Sequence, residues 1–258
     1  MVWQRVRQRT EILLRDGLRA FRASATALLH RWAVRRVLVL GDSHVRVFEH
    51  WLFPLAMPRT RFEIVHVPGA TAIGIGNPHS ASDARNRFEA ALDAGSWDRV
   101  LVNLGEVDAA ISLWIVADKR GEPIDVALDR AVGRYLAFLE RVHAEHRLIV
   151  LAATLPTLSD ASGIEDAAVA RHRSQVTATK AQRTALTMDF NRRVGEWCAA
   201  RGVPHLDTAA EALGSDGLVR ESWTVRGAHD HHYARRPYAR ALVRMLGPLV
   251  KHDGPTVG

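Results

Sequence analysis

Val37-Leu38-Val39-Leu40-Gly41-Asp42-Ser43-His44 decides how this chain of 258 residues is read. The four aliphatic residues have the composition of a strand buried on both faces. Gly41 lets the backbone leave that strand sharply, because it has no Cβ to clash at positive φ. Ser43 then falls in the turn, just ahead of His44-Val45-Arg46-Val47-Phe48-Glu49-His50-Trp51, which reads as a helix reaching about Phe53. In α/β proteins, reactive groups sit in such turns, outside the carboxyl ends of the strands. A helix start also aims free backbone N–H groups at any anion formed there. The same position suits an N-cap, so this stretch alone leaves Ser43 as nucleophile or cap.

Further strands are expected at 62–67, 97–104, 148–153 and 203–206, with helices at 82–92, 125–146, 180–200 and 233–250. Strands alternating with helices predict a parallel sheet covered on both faces. Pro54 and Pro58 read as bracketing a loop. The polar segment 157–178 reads as a lid or excursion near the site, and 213–227 as a loop. Residues 34–252 carry no convincing linker and read as one domain. Residues 1–33 read as a basic helical extension, in which Arg5, Arg7, Arg9, Arg15, Arg19, Arg22, Arg31, Arg35 and Arg36 flank it or lie within it against only Glu11 and Asp16.

The formal net charge of +7 owes much to that extension. An arginine-rich helix is suited to a solvated surface, acidic lipid, nucleic acid or an acidic glycan. No basic patch is interleaved with stacking aromatics, which argues against nucleic acid. Cys198 is the single cysteine. It excludes an internal disulfide framework, fits a reducing compartment, and reads as a buried filler. No stretch is long and apolar enough to span a bilayer, and no secretory signal is evident. A cytoplasmic protein is therefore expected, with contact at a membrane surface through residues 1–33 as an added possibility. Gly74-Ile75-Gly76 lacks the full dinucleotide spacing, so no cofactor is expected. His229, His231 and His232 have no cysteine partner and no spaced second histidine pair, so no metal is expected.

Three polar clusters fall at strand ends or loops: Asp42-Ser43, Gly105-Glu106-Val107-Asp108, and His229-Asp230-His231-His232. A serine nucleophile needs a base within hydrogen-bond reach and an acid to orient that base. Ser43, His232 and Asp230 supply this inventory. The backbone N–H groups of Ser43 and Gly69 are candidate oxyanion donors. His44 and His66 read as surface or structural polar residues.

On these residues the chain resembles the SGNH (GDSL-type) hydrolases over roughly 36–250. Gly41-Asp42-Ser43, Gly69, the Gly-x-x-Asp segment at 105–108 and the terminal Asp230/His232 pair carry the resemblance. It implies a three-layer flavodoxin-like α/β fold with a five-stranded parallel sheet, and acyl-ester chemistry on a small-molecule or glycan ester. It also implies Ser43 as nucleophile, His232 as base, Asp230 as its acid, and Gly69 as oxyanion donor. Two departures matter. The third block of the family carries an asparagine donor where this chain has Val107. The last block, Asp230-His231-His232-Tyr233, is similar to the Asp-x-His-aromatic signature of polysaccharide O-acetyltransferases, which tilts the reading toward carbohydrate acyl groups. Losing one oxyanion donor costs about 2.7–4 kcal/mol, so a replacement is expected. Asn77 on the glycine-rich loop is the candidate, ahead of Asn103 inside the third strand. Asp108 either caps a loop or shapes the site floor, and Trp114 is a candidate sugar contact on the loop after the third block. The competing readings are a non-catalytic glycan- or lipid-binding relative, for which Val107 argues, and a metal-dependent phosphoesterase. Asp42-x-His44 faintly resembles the latter, but its Gly-Asn-His block is absent.

Overall fold

Strand β1 (Arg35–Gly41) is buried in the interior, with Val37 to Leu40 at most 1% exposed. A computed structural model describes residues 34–77, 80, 82–160, 175–225 and 230–251 of the chain. The expected extension at 1–33, most of the expected lid, and His229 lie outside the described residues. β2 (Thr60–His66), β3 (Arg99–Asn103), β4 (Leu148–Leu151) and β5 (His205–Leu206) complete a parallel sheet of order β2-β1-β3-β4-β5. Gly41 is in register with His66 on one side and Asn103 on the other.

Side chains alternate between the two faces of a strand, and the core divides accordingly. Leu38, Leu40, Val100, Val102, Leu148 and Val150 face one apolar cluster. It is closed by Phe88 of α1 (Ala84–Asp93), Leu113 of α2 (Leu113–Arg120), Tyr135 and Phe138 of α3 (Ile124–Glu145), and Phe190 and Val194 of α4 (Lys180–Arg201). Val37, Val39, Leu101, Ile149 and Leu151 face the other. Phe53 and residues of α5 (Arg235–Lys251), among them Leu242 and Leu246, close that side. The result is the expected three-layer α/β fold. Chain progression reverses direction between β1 and β3, so the crevice beyond their carboxyl ends is the topological switch point where such folds bind ligands.

Several local expectations change. The segment after β1 is a 3₁₀ turn, Ser43–Glu49, followed by a separate short helix, Leu52–Ala56. Pro54 sits inside that helix and does not bound a loop; in a first turn its missing N–H leaves no helical bond unmade. The stretch after β3 is a π-type turn at Asp108–Ser112 running into α2, which places Trp114 on a helix. Thirteen residues of two short helical pieces are too few to show a clear periodicity. β5 has 2 residues, shorter than expected. The region 213–227 contains an antiparallel bridge between Leu213 and Val219 and a 3₁₀ turn at Glu221–Trp223. Cys198 is fully buried, and burial pushes its thiol up to about 12. Among the described residues no helix is long and apolar enough to cross a membrane.

Candidate active site

The site begins where β1 ends. A Cβ on Gly41 would lie 2.4 Å from Val45 Cγ1 and 2.5 Å from the carbonyl oxygen of Asn103, so only glycine fits between β1 and β3 there. Asp42 follows in extended conformation and caps the 3₁₀ turn: its Oδ1 accepts the backbone N–H of His44 at 2.9 Å. This cap holds half-buried Ser43 at the crevice.

The last block arrives from the opposite end of the chain. Nε2 of His232 lies 2.8 Å from Ser43 Oγ, and Nδ1 of His232 lies 2.6 Å from Asp230 Oδ1. The same Asp230 oxygen accepts the backbone N–H of His232 at 2.9 Å. An Asx-type bond of this kind sets the ring orientation from within one loop. Three anchors hold that loop. Thr157 Oγ1 donates to the Asp230 carbonyl at 3.0 Å. Tyr233 Oη accepts the buried Leu155 N–H at 2.8 Å. Ala234 N–H donates to the Trp223 carbonyl at 2.7 Å. The structure thus brings Ser43, His232 and Asp230 into a hydrogen-bonded line.

Charge in this line is ordered. His232 is held below its ordinary range by burial and by neighbouring His44, against the pull of Asp230. Burial opposes ionisation of Asp230, but the N–H donors of His232 outweigh it and the carboxyl falls below its usual range. A neutral imidazole beside an ionised carboxylate is the state that accepts a serine proton. A cavity of about 410 Å³ opens beside Ser43 and His232, walled by Val47, Val225, Tyr233 and Tyr238, with Arg46 and Arg235 also lining it.

The remaining candidates have other placements. Gly69 occupies the turn after β2 with φ +72°; a Cβ would meet nothing within 4 Å, so backbone conformation, not crowding, favours glycine there. Asp108 is fully buried and accepts the N–H groups of Ala72 (2.6 Å) and Ile73 (2.9 Å), which ties the turn after β3 to the one after β2. Burial raises its carboxyl to about 6 against those donors. It caps; it does not line the cavity. Asn103 donates to the carbonyls of Leu151 (3.2 Å) and Ala152 (3.0 Å), so its amide joins β3 to the end of β4. Asn77 is exposed beyond the short helix Ala72–Ile75 and does not line the cavity. Trp114 also stays out of it, donating Nε1–H to the Ala109 carbonyl at 2.8 Å and packing on the core. His66 is half-buried at the end of β2.

Of the two expectations for His44, surface or structural, the structure excludes the surface one. It is 4% exposed, and its ring lies 4.7 Å from that of His232, centroid to centroid. Glu106, buried at 5% exposure, comes within 4.0 Å of His44 Nε2. Arg183 of α4 is fully buried and donates to the Leu158 carbonyl and to Asp160. One signal for His44 was present: Asp-x-His occurs at 42–44 and again at 230–232. Glu106 stood in the polar cluster after the third strand, but nothing local marks its approach to His44, and nothing local marks Arg183. The ring nitrogens of His44, His231 and His232 come within 4.8 Å of one another. Within this group Nδ1 of His44 is engaged by Asp42, and the two nitrogens of His232 by Asp230 and Ser43.

Neither a protein-family model nor a curated protein sequence matches this chain. Solved structures do. A GDSL-like lipase from Bacteroides thetaiotaomicron VPI-5482 superposes with a TM-score of 0.55 at 15% identity, over 89% of this chain and 95% of that one. An acetylxylan esterase from Geobacillus stearothermophilus superposes with a TM-score of 0.53 at 14% identity, over 83% and 95%. A further acetyl xylan esterase gives 0.51 at 12% identity, over 83% and 99%. The sheet order, the crevice and these likenesses agree: this chain has the fold of the SGNH (GDSL-type) hydrolases.

Proposed function

We propose that this protein is a serine esterase whose nucleophile is Ser43. The observation that carries the reading is the line Ser43 Oγ, His232 Nε2, His232 Nδ1, Asp230 Oδ1, with contacts of 2.8 and 2.6 Å, at the carboxyl end of β1. Ser43 Oγ attacks the acyl carbonyl while His232 Nε2 takes its proton. Asp230 holds Nδ1–H and offsets the charge of the imidazolium. The backbone N–H groups of Ser43 and Gly69 receive the oxyanion. His232 returns the proton to the leaving alcohol, and the acyl group remains on Ser43 until water, activated by the same imidazole, releases it. The apolar walls of the cavity suit a short acyl chain or the body of its alcohol.

The natural ester is an O-acyl group on a carbohydrate in this reading. Two things support it: the Asp230-His231-His232-Tyr233 block, and the acetylxylan esterases among the proteins of like fold. A sugar hydroxyl in place of water would make the same acyl-enzyme a transferase. Val107 favours a slower enzyme, or one that recruits a donor from its substrate, because the family's asparagine donor is missing.

A fluorophosphonate probe tests the nucleophile. The wild-type protein is expected to gain the mass of one adduct and to hydrolyse p-nitrophenyl acetate, and Ser43→Ala to do neither. An unlabelled wild-type protein without turnover would replace this reading with a non-catalytic binding role.

A further inference from the structure

Behind Ser43 lies a second carboxylate–imidazole pair that the ester chemistry does not use. In Asp42-x-His44 as in Asp230-x-His232, the aspartate Oδ1 accepts the backbone N–H of the histidine two residues on, at 2.9 Å in both. In both, the same oxygen meets that histidine's Nδ1, at 3.0 Å in the first pair and 2.6 Å in the second. The pairs differ in burial. The Asp230 side chain is 44% exposed, whereas Asp42 is fully buried. They differ also in what lies beyond the ring. Nε2 of His232 faces Ser43; Nε2 of His44 faces the His231 carbonyl at 3.4 Å and Glu106 Oε2 at 4.0 Å. The second oxygen of Asp42 is buried without a hydrogen-bond partner among the described residues. Buried carboxylates are tolerated when a charge of opposite sign compensates them. One imidazole flanked by two of them is that compensation only when it carries both protons.

We propose that His44, held as an imidazolium between Asp42 and Glu106, is a positioning residue that acts through His232: a fixed positive charge beside that ring that disfavours a second proton on it. This rests on the serine-esterase reading above. At a ring separation of 4.7 Å a like charge acts strongly on its neighbour. The charge balance around the ring agrees. Burial alone would lower His44, but Asp42 and then Glu106 more than reverse that, to about 9. Burial lifts Glu106 to about 7, with His44 opposing. The groups facing His232 are His44, Asp230, His231 and Asp42, and those facing Glu106 are His44, Asp42, Arg183 from α4 and Asp108. The two aspartate–histidine pairs then act on the base with opposite sign: Asp230 favours the proton on His232, and His44 resists it.

His44→Asn keeps an N–H toward Asp42 and removes the charge. The acid limb of the kcat/KM profile, where protonation of His232 shuts off turnover, is expected to move up by about one pH unit. A merely structural role would lower the plateau and leave that limb in place, and this result would overturn the proposal. Long-range 1H–15N spectra of the wild-type imidazoles provide a readout that needs no turnover. His44 is expected to be doubly protonated at pH 7.5; a neutral His44 would equally overturn the proposal. Should His44→Asn not fold, the wild-type spectrum decides. Should no ester be turned over, the esterase reading fails separately, while the same spectra still report the charge of His44 and its effect on His232.

Discussion

Replacing Asp230 with asparagine removes a charge from the site and nearly preserves its shape. Asp230 Oδ1 accepts two N–H groups of His232, one from the backbone and one from the ring. The asparagine carbonyl replaces one acceptor, but an amide NH₂ turned toward Nδ1 would place the ring proton on Nε2, facing Ser43, where it blocks the base. In a fully buried array of this kind the same change costs about 10⁴ in kcat. The Asp230 side chain is 44% exposed, so water screens its charge and takes part of its place. The expected loss in kcat/KM is therefore smaller, about 10²–10³, or roughly 2.7–4 kcal/mol of transition-state stabilisation. The pH profile has its own sign. The Asp230 carboxylate favours the proton on His232, so its loss moves the acid limb to lower pH, opposite to the shift expected for His44→Asn. The assay is p-nitrophenyl acetate hydrolysis from pH 5 to 9, with the rate of fluorophosphonate labelling as a second reading. A rate within threefold of wild type would refute the orienting role of Asp230. A loss as deep as that of Ser43→Ala would refute the screening argument.

Two further outcomes concern stability. Tyr233→Phe leaves the buried Leu155 N–H without its acceptor and should cost about 1–3 kcal/mol in denaturant unfolding; unchanged stability would mean that the bond does not anchor the catalytic loop. The folded-state value of His44 stands above its unfolded one, at about 9 against 6.5, so its contribution is present in full below pH 6.5 and is lost as pH rises through about 9. Thermal unfolding of wild type should accordingly fall over that window, and His44→Asn should flatten the fall; equal slopes in both proteins would refute it.

The fold was legible because its signals are local. Val37 to Leu40 read as a buried strand from composition alone, and they form an interior strand of the sheet, between β2 and β3. α3 shows its helical apolar spacing over 22 residues, and its expected limits differ from the observed ones by one residue at each end. The misreadings fall where an element is too short to carry a period: the 3₁₀ turn at Ser43–Glu49, the helix around Pro54, and α2 with Trp114. Asn103 and Asp108 were legible as polar residues near strand ends, but not what they bond. Asn103 reaches across to β4 and Asp108 to the turn after β2, and both partners depend on strand order.

By itself, then, the sequence determined the α/β class, the strand that carries Ser43, and the residue types able to activate it. Each of these follows from composition and spacing within a few residues. Only the tertiary structure decided which groups meet. Ser43 and His232 are 189 positions apart and lie 2.8 Å from one another; Glu106 reaches His44 only because β3 lies beside β1. Burial did the rest. The same Asp-x-His spacing stands at the mouth of the site in one copy and beneath it in the other, and solvent access separates a group that exchanges protons from one that keeps its charge.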